Sequence, residues 1–327
     1  MPAAMIKAMP LATLMAAVVL AAADARAETI FVSNEQDNTV SVIDGGTLAV
    51  AATIAVGRRP RGIEASGDGK TIYVALGDDD RIDVIDVASR KVTGNLPSGP
   101  DPERFTVSPD GARLYIANED DNTVSVLDIA GRKITADIAV GIEPEGMAVS
   151  PDGAFVVCTS ETTSMAHFID SKTLELIDNV LVDTRPRVAQ VTRDGKHVWI
   201  TSELRGTASV LDARSHAILA HIDFAPPGVP LELVQAVGVA IARDGERAFV
   251  ALGPSARVAE IDARQFKVLR YHLVGQRVWN LAFSPDGKRL YTTNGSSNDI
   301  SVLDLESDRV VKSLGVGRSP WGVVSVP

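Results

Sequence analysis

The chain is poor in the residue types that build most metal and redox sites. Its 327 residues include one cysteine, Cys158, and five histidines. A single cysteine cannot form an internal disulfide, and haem, copper or zinc sites need several histidine or cysteine ligands that converge in space. Aromatic residues make up 5% of the chain against 45% hydrophobic residues. The composition therefore predicts an aliphatic core, no histidine-ligated metal or haem, and a buried thiol at Cys158.

Common catalytic signatures are missing as well. The sequence has no Gly-x-Ser-x-Gly nucleophile elbow and no complete phosphate-binding loop. The net charge is −10 and the pI is about 5.0. An acidic surface disfavours nucleic acid, because binding to phosphates needs a basic surface that displaces counterions. The charge is compatible with a basic protein partner.

The first 27 residues are predicted to be a secretory signal peptide rather than part of the fold. Lys7 precedes the apolar run Leu11–Ala23, and Ala25-Arg26-Ala27 has the form of a cleavage site. The run is short for a membrane span, so an uncleaved anchor is the weaker alternative. We therefore expect a periplasmic protein with residues 28–327 as its single domain and no membrane span after cleavage.

The chain is dominated by an internal repeat. Seven aspartates close similar V-x-D runs: Asp44, Asp86, Asp128, Asp170, Asp212, Asp262 and Asp304. They are 42 residues apart except for one step of 50. The glycines of six Asp-Gly turns follow the same spacing: Gly69, Gly111, Gly153, Gly195, Gly245 and Gly287. The spacing indicates seven units, one of which carries an insertion.

Each unit is predicted to form four short strands, named A to D. In the third unit these are Arg104–Ser108, Leu114–Ala117, Thr123–Asp128 and Lys133–Val140. The N-terminal segment Thr29–Val56 has only strands B, C and D, and the C-terminal segment Trp321–Val326 has only strand A. The pattern predicts an all-β, seven-bladed β-propeller with four antiparallel strands per blade. Pairing of the C-terminal strand with the N-terminal partial blade would close the ring.

Three motifs carry a family resemblance. Tyr115-Ile116-Ala117-Asn118, Asn122-Thr123-Val124-Ser125-Val126-Leu127-Asp128 and Ser108-Pro109-Asp110-Gly111 resemble the YVTN family of β-propeller repeats. The resemblance covers Glu28–Pro327. In layout the chain most resembles the periplasmic propellers associated with PQQ-dependent alcohol catabolism. This resemblance implies an accessory role beside a quinoprotein dehydrogenase and its transport or electron-transfer partners.

Function is expected on the face formed by the D–A and B–C loops, because nearly all variation between blades lies there. Near the channel mouth, the start of strand A is occupied in turn by Arg61, Glu103, Glu145, Arg187, Val237, Trp279 and Trp321. Two residues earlier stand Arg59, Asp101, Glu143, Arg185, Gln235, Arg277 and Ser319. The charged and aromatic members of both sets are the candidate ligand- or partner-binding residues.

These residues predict a mouth that takes a ligand or peptide with a cationic end and a flat apolar body. The acidic B–C loops Asp78–Asp80 and Glu119–Asp121 would strengthen its acidic sector. Two alternatives remain open: the charges form a self-neutralised collar of ion pairs, and the tryptophans fill the core. No cofactor is predicted, although the acidic loops leave calcium open and the resemblance leaves a quinone open. The proline-rich insertion at Phe224–Gln235 is either a neutral insertion or a lid or docking loop.

The sequence thus favours an exported, non-catalytic, monomeric propeller that binds a partner protein or small ligand at its mouth. The resemblance makes a quinoprotein dehydrogenase or a transport component the expected partner. The alternative is an enzyme at the same mouth, either a lactonase or a quinoprotein oxidoreductase subunit. Seven-bladed lactonases resemble this architecture, but no histidine is predicted at the mouth, which argues against lactonase chemistry.

Overall fold

A computed structural model describes residues 28–327 as seven four-stranded antiparallel sheets. Blade 1 contains β1 (Thr29–Asn34), β2 (Thr39–Asp44) and β3 (Ala49–Ala55). Blade 2 contains β4 (Pro60–Ala65), β5 (Thr71–Leu76), β6 (Arg81–Asp86) and β7 (Lys91–Pro97). Blade 3 contains β8 (Pro102–Val107), β9 (Arg113–Asn118), β10 (Thr123–Asp128) and β11 (Lys133–Ala139). Blades 4 and 5 contain β12 (Pro144–Val149), β13 (Phe155–Ser160), β14 (Met165–Asp170), β15 (Leu176–Leu181); and β16 (Pro186–Val191), β17 (His197–Ser202), β18 (Thr207–Asp212), β19 (Ile218–Asp223). Blades 6 and 7 contain β20 (Val239–Ile241), β21 (Arg247–Ala251), β22 (Arg257–Asp262), β23 (Lys267–Leu273); and β24 (Val278–Phe283), β25 (Arg289–Asn294), β26 (Asp299–Asp304), β27 (Arg309–Gly315). The last strand, β28 (Pro320–Val326), completes blade 1, and two single 3₁₀ turns span Gly77–Asp79 and Leu231–Leu233.

The predicted seven-bladed propeller is confirmed, including the way in which its ring closes. Strand β28 pairs antiparallel with β1, with Val326 opposite Thr29 and Val324 opposite Phe31. The strand order β28-β1-β2-β3 therefore joins the two ends of the domain in one sheet. The predicted signal peptide lies outside the described residues. Within residues 28–327, no helix is long and apolar enough to cross a membrane.

Glycines at one position of strand A allow the seven inner strands to converge. This position is the third residue of the strand in six blades and the residue just before β20 in blade 6. Around the ring it holds Gly322, Gly62, Arg104, Gly146, Val188, Gly238 and Asn280. A Cβ at Gly62 would lie 2.6 Å from the carbonyl oxygen of Glu103, and one at Gly146 would lie 2.1 Å from that of Arg187. Glycine thus alternates with a larger residue, and because seven is odd, two glycine-bearing strands are adjacent in blades 1 and 2.

A contact across the channel links blades 3 and 7. Both terminal nitrogens of Arg104 donate to Asn280 Oδ1, at 3.0 and 3.3 Å. Asn280 Nδ2 donates to the backbone carbonyl of Trp321 at 2.8 Å, and the Arg104 guanidinium lies 5.1 Å from the centre of the Trp321 ring. Arg104 also lines a second cavity, which shares no lining residue with the cavity at the D–A/B–C mouth.

The repeated aspartates serve the scaffold. In six of the seven C–D turns the carboxylate accepts a backbone N–H two or three residues later, as when Thr47 N donates to Asp44 at 2.7 Å. These bonds satisfy turn amides that have no strand partner. The most regular feature of the sequence, the repeated aspartate, therefore has a structural role. It lies on the face opposite the D–A and B–C loops.

The insertion is an ordered loop that is anchored at both ends. Phe224 and Val234 are each 3% exposed and pack in the core of blades 5 and 6. The backbone amide of Ala225 donates to the Tyr271 hydroxyl at 2.9 Å. A single 3₁₀ turn, Leu231–Leu233, occupies the part next to Val234. The prolines exclude a longer helix, as expected, but they permit this one turn.

Ring closure makes a direct prediction about stability. Deleting Trp321–Pro327 removes most of β28 and exposes the apolar face of β1. We expect the thermal unfolding midpoint to fall by more than about 10 °C, or cooperative unfolding to be lost, because a loss of a few kcal/mol lowers Tm by several degrees. Circular dichroism melting of the truncated chain measures this effect. A matched deletion of Pro327 alone should melt like the intact protein. An unchanged melting curve for the longer deletion would mean that closure contributes little.

Candidate functional site

The geometry of the D–A turns aims the candidate side chains at the channel mouth. The residue directly before strand A has a left-handed backbone in six blades, at Arg59, Asp101, Glu143, Arg185, Arg277 and Ser319, with φ between 49° and 60°. In five blades a proline follows it and fixes the backbone on entry to strand A. Side chains on the preceding blade hold several turns in place, as when Asn38 Oδ1 accepts from Arg59 N at 3.0 Å.

These turns surround a cavity of about 440 Å³ at the mouth of the channel. Its lining is charged apart from one aromatic ring: Arg59, Arg61, Asp101, Glu119, Glu145, Arg185, Arg187, Glu203, Arg277 and Trp279. The lining is drawn from blades 2 to 5 and blade 7. The cavity is therefore asymmetric, as a specific site in a ring of similar blades must be.

An acidic corner lies where blades 2 and 3 meet. Glu103 is completely buried and accepts hydrogen bonds from the guanidinium groups of Arg59 and Arg61. Carboxylate oxygens of Asp101, Glu103 and Glu119 lie within 4.8 Å of one another. Carboxylates therefore outnumber the arginines that neutralise them in this corner.

The surplus of carboxylates shows in their pKa values. Burial opposes ionisation of Glu103, but the charges of Arg61 and Arg59 outweigh it and hold the pKa of Glu103 below its usual range. Burial and the nearby charge of Glu103 raise the pKa of Glu119 to about 8. Near neutral pH, Glu119 is therefore largely protonated, whereas Glu103 is ionised.

An arginine corner lies on the other side of the cavity. Arg187 is 5% exposed and contacts three buried glutamates: Glu145, at 3.0 Å, Glu161 and Glu203. Arg185 pairs with Glu161 at 2.6 Å, and Arg277 lies 3.6 Å from Glu203. The side chains of Arg185 and Arg277 remain 44% and 33% exposed, whereas the glutamates beneath them are buried. A ligand in this corner therefore meets guanidinium groups first.

The two mouth tryptophans differ in accessibility. Trp279 lines the cavity, and the Arg277 guanidinium lies 4.4 Å from the centre of its ring. Trp321 is 2% exposed and packs between Arg61 and Arg104 at the floor. Trp321 therefore has a packing role in this structure, while Trp279 offers its ring system to a ligand.

The structure brings eight of the eleven candidate residues onto the cavity: Arg59, Arg61, Asp101, Glu145, Arg185, Arg187, Arg277 and Trp279. Glu103 lies directly behind Arg59 and Arg61, and Trp321 lies below. Glu143 is separate from this group, since its carboxylate accepts from the Thr162 hydroxyl at the rim. Many of the candidate residues form ion pairs, so the collar of ion pairs that was one of the open alternatives is present. Most of its carboxylates are buried, whereas that alternative assumed solvated ion pairs.

Sequence reasoning missed Glu161 and Glu203, although a signal for them is present. In six blades the residue directly after strand B is Glu35, Gly77, Glu119, Glu161, Glu203 or Gly295, and in blade 6 the equivalent position of the repeat is Gly253, two residues after β21. The glutamates supply the carboxylates of the mouth. The glycines make room for a neighbouring side chain: a Cβ at Gly77 would lie 3.0 Å from the Arg59 guanidinium, and one at Gly295 would lie 2.5 Å from Trp279 Nε1.

Comparison with known proteins supports the fold more than the function. A family model described as the cytochrome D1 heme domain matches residues 72–215, less than half of the chain. No curated protein sequence matches the chain.

Three of the many solved structures with a similar fold illustrate the likeness. Kuenenia stuttgartiensis hydrazine synthase is 20% identical, with a TM-score of 0.78 over 84% of this chain and 92% of that one. A Bacteroides fragilis protein proposed to be a 6-phosphogluconolactonase is 16% identical, with a TM-score of 0.77 over 92% and 98%. Dihydro-heme d1 dehydrogenase NirN, in complex with DHE, is 16% identical, with a TM-score of 0.68 over 90% and 74%. At these identities the similarity shows a shared β-propeller fold.

The family match raises the question of haem, and the mouth does not fit it as an iron site. The cavity lining contains no histidine, cysteine, methionine or tyrosine that could ligate haem iron. His167 and His272 are buried and already hydrogen-bonded, to Asn179 and Glu260 respectively. The lining could bind the carboxylates of a flat ligand through its arginines, but it offers no axial ligand.

The two acidic loops at which calcium is left open have other partners in part. Asp79 accepts from Arg58 at 2.7 Å and lies 3.3 Å from Arg81, so part of the Asp78–Asp80 loop is neutralised. Of the Glu119–Asp121 loop, Glu119 joins the acidic corner, where Arg59 already lies against Glu103. Calcium at either loop stays an open alternative to the prediction that the protein has no cofactor.

The role of Gly295 can be tested through Trp279. Gly295→Ala places a methyl group against the indole, so the ring must move, and we expect a shift in tryptophan emission and a change in acrylamide quenching. Gly315→Ala is the matched control, because a Cβ there meets nothing within 4 Å. Identical spectra for the two variants would show that Trp279 is not held by this contact.

The buried ion pairs predict a large effect at Arg187. Arg187→Met leaves the buried Glu145 without its ion-pair partner and removes one of the partners of Glu161 and Glu203, which we expect to cost about 3–5 kcal/mol of unfolding free energy. The loss should be smaller at pH 5 than at pH 8. Unpaired buried glutamates have a folded pKa above the unfolded value, so the folded state gains stability by binding protons at low pH and loses it as pH rises.

Urea unfolding at both pH values measures this effect. Arg264→Met is the control, because Arg264 and Glu246 form an exposed pair at 3.0 Å, whose loss should cost less than about 1 kcal/mol. Equal losses for the two variants would contradict a structural role for the Arg187 cluster.

Proposed function

We propose that this protein is a non-catalytic binding propeller that holds a small zwitterionic ligand with a flat body in its mouth cavity. The observation that carries the proposal is the separation of charge across the cavity. Surplus carboxyl groups lie at Asp101 and Glu119, and accessible guanidinium groups lie at Arg185 and Arg277. The cationic group of the ligand would lie at the acidic corner, its anionic group at the arginine corner, and its body beside Trp279.

The electrostatics favour a cation at Glu119. Its pKa of about 8 reflects too much negative charge in a small buried volume. A cationic group placed there would stabilise the ionised form of Glu119 and release its proton. The site is preorganised, because buried carboxylates already hold the arginines in position and little side-chain freedom remains to be lost on binding.

The wider setting of this activity follows from the sequence. The leader supports export to the periplasm, with residues 28–327 as the mature domain. The resemblance to propellers of PQQ-dependent alcohol catabolism supports an accessory role beside a quinoprotein dehydrogenase or a transport component, and it keeps a quinone among the candidate ligands. Expression in a periplasm-forming host, followed by N-terminal sequencing, tests both cleavage after Ala27 and export.

An acid–base enzyme acting at the same mouth is the second candidate. The observation that favours it is that burial raises the pKa of Glu119 and of Glu145, both of which line the cavity. One fold neighbour is proposed to be a 6-phosphogluconolactonase. Hydrolysis of δ-gluconolactone that is lost in Glu119→Gln and Glu145→Gln, while both variants stay folded, would favour the enzyme over the binding protein.

The binding proposal is tested with 4-(aminomethyl)benzoate, a flat molecule with a cationic and an anionic end. We expect it to bind at least about tenfold more tightly than benzylamine or benzoate, which each lack one charge, because both corners must be filled. Its affinity should rise between pH 6 and pH 9, since the ionised form of Glu119 binds the cation and prevails only above its pKa of about 8. Calorimetry in buffers of different ionisation enthalpy should detect proton release.

Two variants complete this test. Glu119→Gln should abolish the proton release, and Arg277→Gln should remove the preference over benzylamine. Arg264→Gln, on the opposite face, should change neither. Equal affinities for the three probes, or binding without dependence on pH, would count against the proposed ligand class.

A further inference from the structure

The D–A/B–C face carries an apolar feature beside the cavity. Leu231 and Leu233 of the insertion are 67% and 41% exposed, and Leu204, on the B–C loop of blade 5, is 60% exposed. The two loops touch, since a Cβ at Gly206 would lie 2.5 Å from the carbonyl oxygen of Val234. We call Leu204, Leu231 and Leu233 the leucine knob.

The knob is held in place by its own loop. The turn is closed by backbone bonds from Leu233 N to the Pro230 carbonyl at 3.0 Å and from Val234 N to the Leu231 carbonyl at 2.9 Å. Phe224 and Val234 anchor the two sides of the insertion in the core. Exposed leucines on a turn with a fixed backbone are typical of a loop that docks a partner, and they are not expected in an insertion without a function.

The rest of the face is acidic. In the D–A and B–C loops, acidic side chains outnumber basic ones. Asp120 and Asp121, at the tip of the blade 3 loop, are exposed and form no ion pair among residues 28–327. The knob on blades 5 and 6 and this acidic tip on blade 3 lie on the same face, with the cavity between them.

We propose that this face docks a protein partner that presents an apolar hollow flanked by lysine or arginine side chains. The hollow receives the leucine knob, and the basic side chains meet the acidic loops. A second copy of the chain does not fit this role, because a symmetric contact would bring the same acidic loops together. The inference deepens the proposal that this is the binding face, yet it depends on residues that do not line the cavity.

The test places a photo-crosslinking amino acid, p-benzoylphenylalanine, at Leu231 of the full chain, expressed in its own host. Val311, which is 56% exposed on the outer strand β27, is the matched control position. We expect one dominant protein adduct at Leu231 that is absent at Val311. Mass spectrometry should locate the crosslink on an apolar segment flanked by basic residues.

Binding of the identified partner is then measured with purified proteins. The double variant Leu231→Ser, Leu233→Ser should weaken binding by at least about tenfold, because apolar anchors dominate such interfaces. Val311→Ser should leave it unchanged. Raising the salt from about 50 to about 500 mM should also weaken binding, since salt screens the acidic loops. Adducts of the chain with itself, equal adducts at both positions, an acidic crosslinked segment or no adduct at all would overturn the proposal.

The small-molecule probe keeps the two proposals apart. The leucine variants should bind 4-(aminomethyl)benzoate like the parent protein, because their side chains lie outside the cavity. Loss of partner docking with intact probe binding would place the docking surface on the knob. Failure of the probe with a normal crosslink would overturn the cavity ligand and leave the docking surface standing.

Discussion

Convergence of seven inner strands on one axis is the constraint on which the rest of this propeller depends. Glycines at Gly62, Gly146, Gly238 and Gly322 let the strands approach, and larger residues between them fill the centre. A ring of seven cannot alternate evenly, so one pair of neighbouring strands must differ from the rest. That pair, in blades 1 and 2, includes β28, the strand that closes the ring. The one break in the alternation and the joining of the chain ends therefore fall in the same place.

The charges at the mouth follow from the same geometry. The start of each strand A points at a narrow opening, so charged side chains there lie close together and are partly removed from water. Such groups are tolerated only when they are paired, and Arg61 with Glu103 or Arg187 with its three glutamates meet this requirement. The pairing is incomplete at Glu119, whose raised pKa records the imbalance. The imbalance is what a bound cation would relieve.

The sequence predicts the fold well because the fold is periodic. Seven copies of one pattern fix the strands, the turns and the closure, and β10 has the predicted bounds Thr123–Asp128. The site is harder to predict, because it depends on departures from the pattern and on distances between blades. The spacing of the repeat predicts that Glu103 and Arg61 lie at the mouth. Only the structure shows that they contact each other and that this contact buries Glu103. Glu161 and Glu203 also occupy a repeated position, the one that follows strand B. Whether a glutamate at this position belongs to the site depends on which blade supplies the arginine that faces it.

The Arg104–Asn280 contact has a consequence for how a ligand would move. Because it spans the channel beneath the mouth cavity, with Trp321 beside it, the cavity has a floor. With this contact in place, a ligand that enters past Arg185 and Arg277 would leave by the same path. A partner bound over the mouth would then also slow the release of the ligand.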